Sequence, residues 1–93
     1  MAVLVTVDLP AAAGGSAEDA AQWAERNKRD LPTAPGFIFH ADGPTETGWR
    51  LVQVWESEED VTRNFNERVR PQLPPDAPAI PMRVEPLSNV IKA

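Results

Sequence analysis

Ninety-three residues, 42% of them hydrophobic and 25% charged, suit one soluble globular domain spanning 1–93. Its core is small enough that a partner subunit would add much to its stability. A net charge of −5 with scattered arginines and lysines gives no basic footprint for phosphates, which argues against nucleic acid as a partner. The chain has no cysteine and one histidine, which removes disulfides, thiolate chemistry and any evident metal ligand set, so no metal or bound cofactor is expected.

The first apolar run, Ala2 to Val7, is short and lacks a positive flank. It is neither a signal peptide nor a membrane span, so a cytoplasmic location and no membrane partner are expected. Val3 to Val7 is β-branched and reads as a buried strand ended by Pro10. Ser16 with Asp19 is a short-armed capping box that opens a helix, and Leu31-Pro32 closes it. Ala20, Trp23, Ala24 and Leu31 share one face of that helix, interrupted by Asn27.

Gly36 to Ala41 reads as a second strand, Asp42-Gly43-Pro44 as a turn, and Trp49 to Glu56 as a third strand antiparallel to the second. Ser57 and Asp60 repeat the cap, and Val61, Phe65, Val69 and Leu73 form the buried stripe of a second helix. The five prolines of Pro71 to Pro81 predict an extended connector. Met82 to Ile91 reads as a last strand, and Pro86 within it indicates a sheet edge. The order βαββαβ predicts an α+β, ferredoxin-like fold: an antiparallel sheet with the first and third strands central and both helices on one face.

Side chains alternate along strands. Placing the purely apolar sets under the helices assigns Val3, Val5 and Val7, then Phe37, Phe39 and Ala41, then Val52 and Val54 to that face. The open face then carries Leu4, Thr6, Ile38, His40, Trp49, Leu51, Gln53 and Trp55. Burying five large apolar groups there would contribute about 7–15 kcal/mol before ordering costs, at about 1.5–3 kcal/mol each. A homodimer paired through the sheet face is the expected cover. Thr6, His40 and Gln53 among apolar neighbours also suit a site for a hydrophobic small molecule, or else simply bond to one another.

GFIFHADGP, GWRLVQVWESEEDVTRNF and the terminal strand together resemble the antibiotic biosynthesis monooxygenase-like (ABM) domains of the dimeric α+β barrel superfamily, over nearly the whole chain. The most specific element is Val54-Trp55-Glu56-Ser57-Glu58. The resemblance implies a dimeric barrel whose relatives include cofactor-independent oxygenases of aromatic polyketides, haem-degrading oxygenases and cyclases. It implies that Trp55 lines a pocket. The asparagine that cofactor-independent members carry on that strand is absent, since Leu51 and Gln53 stand near its place. Haem-degrading members take an iron ligand from a histidine on the second helix; here Asn64 and Phe65 occupy that helix, so haem degradation is not expected.

Histidine exchanges a proton near neutral pH, which makes His40 the candidate general base. Thr6, Leu51, Gln53, Trp55 and Arg83 are the candidate substrate contacts, with an Arg83–Glu85 or Arg83–Glu56 ion pair as the competing role for Arg83. The functional expectation is a small-molecule-binding protein, either a cofactor-independent monooxygenase or cyclase acting on an aromatic, polyketide-like substrate, or a non-catalytic ligand-binding or structural dimer.

Overall fold

The computed structural model describes residues 1–93. Its elements run β1 (Val3–Pro10), α1 (Ala17–Asp30), β2 (Phe37–Pro44), β3 (Gly48–Trp55), α2 (Glu58–Asn64) and β4 (Met82–Pro86). The strands form one antiparallel sheet in the order β2-β3-β1-β4, so β1 and β3 are central and β4 lies at an edge, as the prolines and apolar runs predict.

Both helices start on the same device. The Ser16 and Ser57 hydroxyl oxygens each accept from the backbone N–H three residues on, at 3.1 Å, and each hydroxyl donates to the Asp19 or Asp60 carboxylate at 2.8 Å. An aspartate arm is too short to reach back to the cap's own N–H, so it takes the hydroxyl proton instead. Gly36 makes the entry to β2 feasible. Its φ is +81°, and a Cβ there would lie 2.2 Å from the Asp60 carboxylate, so the close approach of α2 to the sheet requires glycine at this position.

Helix α2 passes into a π-helical turn over Phe65–Val69 and then a short 3-10 turn, Arg70–Gln72. A strict four-residue repeat overshoots an α-turn and drifts around the helix. The wider π-turn takes up that drift and keeps Val61, Phe65 and Val69 on one side. Leu73 falls beyond the helix, against the proline-rich connector rather than on the stripe. The Arg68 guanidinium ties this segment to the end of α1, donating to the Asp30 carbonyl at 2.8 Å and the Thr33 hydroxyl at 2.9 Å.

Three expectations need correction. The β2–β3 turn lies at Thr45-Glu46-Thr47, not at Asp42-Gly43-Pro44, because β2 stays paired with β3 as far as Pro44–Trp49. The last strand stops at Pro86 instead of continuing to Ile91, because its partner β1 begins at Val3 opposite Pro86 and only the Leu87 N–H finds a further acceptor, the Ala2 carbonyl at 2.8 Å. The face assignment of β3 and most of β2 is reversed. Register pairs Val3 with Trp55, Val5 with Gln53 and Val7 with Leu51, so Trp55, Gln53 and Leu51 lie under the helices with the valines. A bulge at Ile38 puts both Phe37 and His40 on that same side. The open face instead holds Leu4, Thr6, Phe39, Ala41, Val52 and Val54, bordered by the Asp8–Arg50 and Arg83–Glu85 ion pairs.

The core is Val3, Val5, Val7, Leu31, Ala34, Trp55 and Val61. Trp55 is fully buried, and Phe37 meets it edge-on at 5.5 Å.

Candidate functional site

A partly open cavity of about 120 Å³ lies between the sheet and the two helices, and 14 of its 20 lining residues are hydrophobic. It opens where α1 presents the small side chains Ala20, Ala24 and Asn27 beside Trp23. These three line the cavity roof, and α1 has no buried residue along its length. Phe65 and Val69 close the α2 side, and Ile80 and Met82 close the end next to the proline-rich connector.

The floor carries a hydrogen-bonded relay. Cross-strand pairing puts His40 beside Gln53 and Asp42 beside Leu51, with Trp49 in the next row. The Trp55 indole N–H donates to Gln53 Oε1 at 2.8 Å. Gln53 Nε2 lies 3.0 Å from His40 Nδ1, His40 Nε2 lies 2.6 Å from Asp42 Oδ2, and the Trp49 indole donates to Asp42 Oδ1 at 3.0 Å.

The direction of the chain follows from its ends. An indole can only donate, so the Gln53 oxygen must face Trp55 and the Gln53 NH₂ must face His40. His40 Nδ1 therefore accepts, and the proton of the neutral ring sits on Nε2, donated to Asp42. Burial pushes the Asp42 carboxyl up, but the bonds from His40 and Trp49 outweigh it and hold the group below its ordinary value of 3.8.

Such an arrangement can orient an imidazole as a base. Asp42 fixes the tautomer and would stabilise an imidazolium, leaving Nδ1 as the working nitrogen. At rest that nitrogen is held by Gln53. No three His, Asp or Glu side chains cluster closely enough to hold a metal ion.

Of the residues singled out from sequence, His40, Gln53 and Leu51 meet at this cavity. Trp55 lies beneath it in the core and touches the site through its N–H. Thr6 and Arg83 lie on the opposite sheet face. Thr6 is buried there, and Arg83 pairs with Glu85 at 3.1 Å, which corrects the expectation that they share the site. Asn27, Asp42, Trp49 and Asn64 were missed. The available signal was Asn27, a polar residue on an otherwise apolar helix stripe.

No protein-family model matches the chain, and no curated protein sequence matches it. Solved structures do. MhuD, a haem-degrading protein of Mycobacterium tuberculosis with two haems bound in its active site, superposes over 99% of this chain and 100% of its own, with a TM-score of 0.65 at 20% identity. A MhuD mutant with two manganese protoporphyrins per active site matches over 100% of both chains, with a TM-score of 0.65 at 17% identity. SnoaB, a cofactor-independent oxygenase of Streptomyces nogalater, matches over 99% and 97%, with a TM-score of 0.62 at 13% identity. This chain shares the ferredoxin-like α+β fold of MhuD and SnoaB. No helix is long and apolar enough to cross a membrane.

Proposed function

We propose that this chain, with the fold of the ABM-type barrels, binds a hydrophobic aromatic small molecule in the cavity between its helices and sheet and acts on it as a cofactor-independent monooxygenase. The carrying observation is the His40–Asp42 pair set into the floor of a mostly apolar cavity. A phenolic or enolic substrate displaces the Gln53 amide from His40 Nδ1 and gives that nitrogen its proton, with Asp42 opposite to stabilise the imidazolium. The resulting anion is electron-rich enough to pass an electron to dioxygen. A cyclase would use the same base and the same shaped cavity.

Haem fits these residues poorly. No lysine or arginine lines the cavity to meet carboxylates, and the cavity is small.

His40→Ala should abolish turnover of a quinol- or anthrone-type substrate, followed by oxygen uptake, while binding persists. Undiminished uptake removes His40 from the mechanism. One observation favours a second reading, a non-catalytic binding protein: Gln53 occupies the working nitrogen of His40. Thermal stabilisation by a ligand without product would support it.

The open sheet face supports a homodimer. Phe39 is 51% exposed beside Val52, Val54 and Leu4, an apolar patch that a second copy would cover. Light scattering on a size-exclusion column tests this, and a stable monomer at micromolar concentration overturns it.

A further inference from the structure

Two polar groups in the cavity are not used by the His40 relay. Asn27 lies on α1 and Asn64 is the last residue of α2, so the two helices each bring a carboxamide to the same space. The other polar side chains of the lining are committed to one another: Gln53 to Trp55 and His40, His40 to Asp42, Asp42 to Trp49. The side chains of Asn27 and Asn64 make no hydrogen bond within the chain, and neither is sealed away from the cavity. Asparagine is a poor helix former, and these two face a mostly apolar lining, so neither helix propensity nor packing accounts for them.

The charge of the lining narrows what they meet. No lysine or arginine contributes, and the carboxylate of Asp42 is already present. A group that arrives anionic would lose its hydration, meet a like charge and find no cation, whereas an anion formed in place leaves its proton on His40 as a counter-charge. An uncharged carbonyl, hydroxyl or amide would find donors and acceptors in two carboxamides, each with two N–H groups and an oxygen. The 14 hydrophobic lining residues suit an apolar ring body. Since an apolar cavity of about 150 Å³ holds benzene, this one takes about one ring, with a second reaching the opening.

We infer that the cavity selects an uncharged aromatic molecule of one or two rings bearing a carbonyl, hydroxyl or amide, held by Asn27 and Asn64, and that it rejects the matching carboxylate. The inference rests on the reading of this cavity as the ligand site.

The test is calorimetric titration of the full chain with 2-naphthamide and 2-naphthoate, which share one ring body. The amide should bind at least about tenfold more tightly. Asn27→Leu and Asn64→Leu should each weaken the amide by about five- to tenfold and leave the carboxylate within about twofold. In ¹H–¹⁵N spectra of the unmutated chain, the side-chain NH₂ signals of Asn27 and Asn64 should shift with the amide; this readout needs no variant to fold. Equal binding of the two probes, or tighter binding of the carboxylate, overturns the selection and leaves the cavity as a ligand site. A preference that survives both substitutions, or NH₂ signals that do not move, overturns the role of the asparagines. If neither probe binds, the cavity reading falls and the inference falls with it.

Discussion

The helix-side face of the sheet has two ends built from the same strands and packed in opposite ways. At one end Val3, Trp55 and Phe37 form a cross-strand row packed against Leu31, Ala34 and Val61. At the other end Val7, Leu51 and Asp42 form the equivalent row, and above it α1 offers only Ala20, Ala24 and Asn27 next to Trp23. The strands do not differ in kind between the two ends. The difference lies in the reach of the side chains above them, since alanine and asparagine do not span the gap that leucine and valine fill. A domain this small leaves part of its core empty and sets a few polar groups into the mostly apolar lining. That arrangement costs stability and is explained by binding more readily than by folding.

Substitutions at the two ends should separate these roles. Trp55→Ala at the packed end removes a fully buried indole and should cost about 3–5 kcal/mol in chemical denaturation. Gln53→Leu, between the ends, leaves the Trp55 N–H buried without an acceptor and should cost about 1–3 kcal/mol. The same change frees His40 Nδ1, so if Gln53 restrains the base, turnover per bound substrate should rise while stability falls. Parallel loss of both would assign Gln53 to structure alone. Leu51→Ala enlarges a space that is already open and should cost less than about 2 kcal/mol, below the usual range for a buried leucine. A loss as large as that at Trp55 would mean that the cavity is closed in solution.

The smallest effect expected is that of Asp42→Asn, and it depends on pH. The folded chain holds the Asp42 carboxyl below its unfolded value, so the ionised form contributes stability above the unfolded value of 3.8, and this is lost as pH falls through the folded value. The melting-temperature gap between Asp42→Asn and the unmutated chain should therefore be steady at neutral pH and close below about pH 4. A gap that widens in acid would contradict the hydrogen bonds drawn to Asp42.

The fold was legible in the residues because its signals are local. Serine–aspartate caps, β-branched runs and proline positions each act within a few residues, and they specified the element order, the two central strands and the edge strand. His40, Gln53 and Leu51 were legible as a group because alternation along two adjacent strands already relates them. The face they occupy was not legible. Sorting strands by polarity puts the all-apolar sets inside, but in β2 and β3 the inside holds the mixed set, because it encloses a cavity, and the smoother aliphatic set lies on the open face. Register between β1 and β3 and one extra residue at Ile38 decide that, and neither is written in any one strand. For the same reason Asn27 and Asn64, 37 positions apart on two helices, become one site only when both helices lie over the sheet. Short-range chemistry sets which elements this chain forms. Which side chains share an interior depends on contacts between distant segments, and there a one-residue shift in pairing reverses the outcome.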